Sequence, residues 1–227
     1  MSRRVQQPKS PPPKPSRHQV ATDHLRQSDS VMRCIIDEVG PFKLKLERDR
    51  FAMLVRSIIS QQISTQAAKS IRLRLEHTLA PDGISAESLL DAGIDTLRTA
   101  GISPQKAGYL LDLADHAHRG KLNLRTIGRY QDEAIIKQLT QVKGIGRWTA
   151  QMFLIFSLGR LDVLPVDDLG VRVAIRDRYG LAELPRPSTC LEIAAPWRPY
   201  ASIASWYCWR SIDAAKKVRS AADGYPS

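Results

Sequence analysis

Two adjacent carboxylates, Asp167 and Asp168, follow Leu164-Pro165-Val166, and Asp168 stands twenty residues after Trp148. An Asp just after a proline suits the N-cap of the helix that follows, which accounts for one acid of the pair. The other needs a further reason, because the chain carries a net charge of +11 and an anion is costly beside the polyanion such a charge attracts. Stabilising a positive charge that develops during a reaction is a reason of that kind.

The second constellation is Leu139-Thr-Gln-Val-Lys-Gly-Ile-Gly-Arg-Trp-Thr-Ala150. Its pattern predicts a helix ending near Gln141, a tight reversal at Gly144-Ile145-Gly146 and a new helix from Arg147. Two glycines one residue apart permit positive φ and let the backbone approach a ligand closely. Ile145 between them should point inward and lock the turn. The amides of Gly146, Arg147 and Trp148 are then free donors at a helix N-terminus, a natural phosphate site, with Lys143 and Arg147 adding charge. A G-x-G between helices is by itself a common connector.

The elements that hold these residues are helical. Phe51, Leu54, Val55, Ile58 and Ile59 recur at helix spacing, as do Ala67, Ala68, Ile71, Leu75 and Leu79. Ser103-Pro104 opens another helix with Pro in its first turn, with Tyr109, Leu110, Leu113, Ala114 and Ala117 as its apolar stripe. Residues 134–142, 147–158, 168–179 and 199–217 read as four more, and no alternating strand pattern interrupts them. The expected fold class is all-α. At 227 residues, 43% apolar and 25% charged, the chain can build its own core as one domain or two joined ones.

Composition excludes several classes. No apolar run approaches the roughly 20 residues of a membrane span, and the N-terminus lacks a signal-peptide core. The three cysteines, Cys34, Cys190 and Cys208, include no C-x-x-C. That spacing points away from a disulfide scaffold, a Cys-based zinc site or an iron–sulfur cluster, and toward a reducing, intracellular setting. Met1 to Val20 hold five Pro and five Arg or Lys, with no acid before Asp23. Residues 1–22 therefore read as a disordered basic tail, residues 23–218 as the helical domain and residues 219–227 as a C-terminal tail.

Taken together, these blocks resemble the helix-hairpin-helix DNA glycosylase superfamily. Gly144-Ile-Gly-Arg-Trp-Thr-Ala150, Pro165-Val-Asp-Asp-Leu169, Ala195-Pro-Trp-Arg-Pro-Tyr-Ala-Ser-Ile-Ala-Ser-Trp-Tyr207 and Ser60-Gln-Gln-Ile-Ser64 are similar to its alkylpurine branch, 3-methyladenine DNA glycosylase II. The resemblance spans about Phe51 to Arg210. It implies two helical lobes with a cleft between them, and a hairpin that grips the duplex backbone without reading sequence. It also implies a monovalent cation, Na+ or K+, on the carbonyls of Thr140, Val142 and Ile145. No other cofactor and no iron–sulfur cluster is expected. Only about 30 residues precede the first strong helix, so the compact form without an N-terminal β-domain is expected.

The resemblance further implies that Asp168 is the catalytic acid, with Asp167 as the fallback, stabilising an oxocarbenium-like sugar while the N-glycosidic bond breaks. Trp148 stands where bifunctional members carry a Schiff-base lysine, which implies a monofunctional hydrolase. Trp206 and Trp148 are expected as walls of the base pocket, with Phe156 and Ser157 lining it; cationic alkylated bases stack well on such rings. Met152 and Leu169 replace aromatic residues of the family pocket. Trp197 and Trp209 are expected in the core. Gln61, Gln62, Ile63 and Ser64 match the loop that fills the gap left by a flipped nucleotide.

The expected partner is double-stranded DNA with a flipped damaged base, bound by a monomer, with no membrane association. Two other readings share part of this pattern. A non-catalytic hairpin DNA-binding module would need neither Asp168 nor the Trp206 wall, and a bifunctional glycosylase/lyase would be trapped by borohydride on abasic DNA.

Overall fold

A computed structural model describes residues 15–222, with side chains as far as residue 215. Among the described residues all regular structure is helical. The α-helices are α1 (Arg17–Ser28), α2 (Ser30–Val39), α3 (Arg50–Ser60), α4 (Thr65–Thr78), α5 (Ala86–Thr99), α6 (Pro104–His118), α7 (Asp132–Leu139), α8 (Arg147–Phe156), α9 (Leu169–Arg178), α10 (Pro187–Ile193) and α11 (Ala201–Ala222). None is long and apolar enough to cross a membrane.

Local chemistry sets most of the starts. Ser16, Asp29, Asp49, Ser64, Ser85, Ser103 and Asp168 each accept a backbone N–H of the first turn that follows them. Pro104 occupies the first turn of α6, where its missing N–H has no partner to lose.

Two cores define two lobes. Leu54, Val55, Ile58, Leu89, Leu110, Leu113, Ile135 and Phe153 belong to a middle lobe built by α3 to α8. Leu25, Met32, Ile36, Val171, Ile175, Trp197, Ala204 and Tyr207 belong to a terminal lobe, in which α1 and α2 pack with α9, α10 and α11. Leu44 and Trp209 pack against both cores. The chain thus leaves the terminal lobe after α2 and returns to it after α8, so the segment carrying Asp167 and Asp168 is a crossing between lobes.

The terminal lobe has a polar node at Asp29. One carboxylate oxygen caps α2, and the other accepts the Tyr179 hydroxyl at 2.5 Å and the Trp197 ring N–H at 2.9 Å. Burial and the Asp29 carboxylate push the Tyr179 hydroxyl far above the usual phenol range, so it stays a donor.

The tail expected at residues 1–22 ends earlier. Ser16 caps α1, and Ala21 and Leu25 are fully buried in the terminal lobe. The prolines that set the composition of that stretch all lie at or before Pro15, and the helix begins two residues later. Residues 1–14 lie outside the described residues. At the other end α11 continues to Ala222, past the boundary expected at residue 218, and residues 223–227 lie outside the described residues.

Candidate active site and DNA interface

Asp168 and its neighbour are neither equivalent nor interchangeable. Asp167 is exposed, whereas Asp168 retains only 8% of its accessible surface. Asp168 is the N-cap of α9, its Oδ1 accepting the Val171 N–H at 2.8 Å. The same oxygen accepts the Trp209 Nε1–H at 2.8 Å, and Oδ2 accepts the Trp148 Nε1–H at 2.8 Å. Capping and a second task therefore fall on one residue, where the sequence divided them between two.

The two indole donors come from different lobes: Trp148 lies on α8 of the middle lobe and Trp209 on α11 of the terminal lobe. Their N–H groups fix the plane of the carboxylate, since neither oxygen can turn without losing a donor. Buried carboxylates without such partners are expensive. Around the buried carboxylate, Trp148 is 45% exposed and Leu169, the residue that follows Asp168, is 63% exposed, so apolar surface there is open to a planar ligand.

Trp209 is the site residue that sequence reasoning placed in the core. Its ring stacks on Phe156 with centroids 5.5 Å apart and 28° between planes. Gly170 admits it: a Cβ there would lie 2.9 Å from Trp209 Cδ1 and 3.1 Å from Asp168 Oδ1. The small residue two positions after the acid was the available signal.

The other expected pocket residues are spread out. Phe156 reaches the site through its stack on Trp209. Trp206 belongs to the terminal core at 8% exposure, with Phe42 edge-on at 4.8 Å and the Arg210 guanidinium 5.9 Å above its ring. Ser157 is not brought to the carboxylate. Its hydroxyl donates to the Glu47 carbonyl at 3.0 Å, and it lines a cleft of about 1090 Å³ with residues 45–51 and Leu124 and Arg125. Met152 is buried in the middle core, so of the two replaced aromatic positions only Leu169 faces solvent.

The hairpin forms as a turn between α7 and α8, with Ile145 at 4% exposure in the middle core. Only one of its glycines needs positive φ. Gly144 adopts φ +81°, and a Cβ there would overlap the Tyr109 ring of α6. Gly146 is extended at φ −90° with open space where a Cβ would go. No side chain caps α8, and the Gly146, Arg147 and Trp148 amides meet no acceptor among the described residues. Arg147 is spoken for by Glu133 of α7, whose carboxyl it holds below the usual range by hydrogen bonding. The Lys143 amide donates to Asp112 of α6 at 2.8 Å.

The carbonyls expected to hold a cation differ in how free they are. No backbone N–H among the described residues donates to Thr140 or Ile145 oxygen, and Val142 oxygen accepts one, from Ile145 at 3.1 Å.

The loop at 61–64 lies beside the hairpin. Gln61 caps the end of α3, and its side-chain amide donates to the Gly144 carbonyl at 2.7 Å. Ser64 caps α4 through its hydroxyl. Those duties leave Gln62, at φ +56°, and Ile63, 37% exposed, as the free side chains of the loop.

Comparison with known proteins gives the family and the fold. Residues 55–199 match the model of the HhH-GPD superfamily base excision DNA repair proteins. DNA-3-methyladenine glycosylase 1 of Schizosaccharomyces pombe is 32% identical over 205 residues, covering 86% of this chain and 90% of the relative. The structure of an S. pombe 3-methyladenine DNA glycosylase in complex with abasic DNA superimposes with a TM-score of 0.78 at 30% identity, over 86% of this chain and 97% of that one. The DNA-3-methyladenine glycosidase of Bacillus halodurans gives 0.78 at 32% identity, over 88% and 91%.

The two hairpin glycines should respond differently to substitution. Gly144→Ala meets both a left-handed backbone and the Tyr109 ring and should cost about 1–3 kcal/mol in urea unfolding, whereas Gly146→Ala should stay within about 0.5 kcal/mol.

Proposed function

The chain belongs to the HhH-GPD superfamily of base excision DNA repair proteins, and we propose that within it the protein is a monofunctional DNA N-glycosylase for alkylated purines of the N3-methyladenine and N7-methylguanine type. The observation that carries this reading is the Asp168 carboxylate, held by an indole N–H on each oxygen beside the exposed Trp148 and Leu169.

The reaction follows from that arrangement. Duplex DNA is gripped through the free amides of Gly146, Arg147 and Trp148, assisted by Lys143, Gly144 and the Arg147 charge. Gln62 and Ile63 enter the stack, and the damaged nucleotide leaves it at a cost of a few kcal/mol, less than for an intact pair. The alkylated base, cationic as N3- or N7-substituted purine, stacks on the exposed Trp148 face through cation–π attraction. As the N-glycosidic bond breaks, its electron pair departs with the base, which leaves neutral. The positive charge passes to C1′ and the ring oxygen of the sugar, where the Asp168 carboxylate stabilises it. Water adds to C1′ and loses a proton, giving an abasic site and the free base. The strand is not cut, because Trp148 has no amine for a Schiff base.

Phe156 acts at one remove by supporting Trp209, and Trp206 borders the pocket if Arg210 swings off its ring. A monovalent cation on the Thr140, Val142 and Ile145 carbonyls would neutralise their dipoles and add positive charge beneath the hairpin. The protein works as a monomer on DNA inside the cell.

In methylated duplex DNA the wild-type protein should release 3-methyladenine and 7-methylguanine, measured by chromatography of free base. The strand should break only after alkali. Asp168→Asn should lose at least about 100-fold in rate while retaining duplex binding, since a charged partner of the transition state is removed. Full release by Asp168→Asn would overturn the assignment. Trp209→Phe keeps the stack on Phe156 and drops the N–H. The expected outcome is a fall of about 10-fold in kcat with KM nearly unchanged, as for one hydrogen bond to a charged group.

A further inference from the structure

We propose that Lys106 is a positioning residue that holds the 61–64 loop in the bend from which Gln62 and Ile63 enter the duplex. The proposal rests on the reading of that loop as the wedge, and adds to it the device that sets where the wedge stands relative to the hairpin.

Lys106 comes from α6, far from the loop in sequence, yet its ammonium donates to the Ile59 carbonyl at 2.7 Å and the Gln61 carbonyl at 2.6 Å. These carbonyls close the C-terminal end of α3, where unpaired oxygens and the helix dipole favour a cation. Burial lowers the lysine pKa, so the ammonium is partly desolvated and its two acceptors replace water.

The next residue, Gln62, is the one described non-glycine with positive φ, at +56°. A side chain there carries a backbone cost of about 1–3 kcal/mol and persists only where its surroundings fix it. Lys106 fixes it from one side, and the Gln61 amide, bonded to the Gly144 carbonyl, fixes it from the other.

Two more residues on the same face of α6 hold the hairpin. Tyr109, three positions on, packs under Gly144, and Asp112, six positions on, accepts the Lys143 amide. One helical face therefore ties the wedge and the phosphate grip to a common base. An inserted side chain must arrive at a fixed height above a gripped backbone, and a displacement of about 1 Å is costly in such geometry.

The test uses the full chain and a duplex containing one N7-methylguanine, in single-turnover assays of base release at saturating enzyme. Lys106→Met keeps the stem and removes the donors. It should slow release from the paired lesion by about 10-fold or more, yet by less than about 3-fold when the lesion faces a one-nucleotide gap and is already unstacked. Lys106→Arg should restore most of the rate, and affinity for undamaged duplex should stay within about 2-fold. Equal loss on both substrates, or no loss on the paired one, overturns the proposal. Gln62→Ala with Ile63→Ala separates the underlying reading: an undiminished paired-lesion rate in that variant removes the wedge and the proposal together. Loss there with Lys106→Met unimpaired removes the proposal alone. Should Lys106→Met fail to fold, Lys106→Gln, which keeps a single donor, enters the same comparison of paired and gapped lesions.

Discussion

The rest of the molecule is arranged around a nearly buried carboxylate whose two oxygens must find donors. Three meet that need at Asp168: the Val171 amide from the start of α9, Trp209 from the terminal lobe and Trp148 from the middle lobe. Each donor places a demand on the fold. The cap requires α9 to begin at residue 169, the Trp209 bond requires a glycine at 170, and the Trp148 bond requires α8 to start directly after the hairpin. The chain meets these demands by leaving the terminal lobe after α2, building the middle lobe, and returning through Pro165 and Asp168. An anion pinned by both lobes is lost if either moves, so lobe packing and site chemistry are one constraint.

The same economy shapes the grip on a polyanion. Two basic side chains near the hairpin are already engaged: Arg147 by Glu133, and Lys106 by two carbonyls. In the proposed reading the grip then falls to the amides at the start of α8, with the Lys143 side chain beside them. Amide donors bind phosphate without reading sequence, as suits a protein that must inspect any stretch of duplex. In the proposed reading, base choice then falls to the exposed Trp148 and Leu169 side chains near Asp168, one aromatic and one aliphatic.

Much of this was legible in the sequence. The helices appear because apolar residues recur at helical spacing and because Ser or Asp stands before so many first turns. The hairpin was readable because glycine and a buried isoleucine alternate where one helix must end and another begin. The assignment of Asp168 over Asp167 came from resemblance to a family; in the structure Asp168 is buried and hydrogen-bonded and Asp167 is exposed. Other features were hidden for physical reasons. The onset of α1 was masked by the prolines before it, since a composition window averages over a boundary that one capping serine sets. Trp209 was taken for core because an indole half-buried between lobes has the same spacing as one fully buried in a lobe. Gly146 was credited with a positive φ that only Gly144 adopts, since spacing alone does not reveal which glycine of a pair takes the strain. Lys106 was invisible because its acceptors are backbone carbonyls, which leave no mark on residue type.

The proposed role of Asp168, a fixed anion facing a sugar that turns cationic, can be read from affinity for two duplexes, one with a cationic pyrrolidine ring and one with neutral tetrahydrofuran at the abasic position. The wild-type protein should bind the cationic ring at least about 10-fold tighter, a preference worth roughly 1.4 kcal/mol, and Asp168→Asn should abolish the difference. Equal affinity of the wild-type protein for the two rings, or a preference that survives in Asp168→Asn, would contradict it.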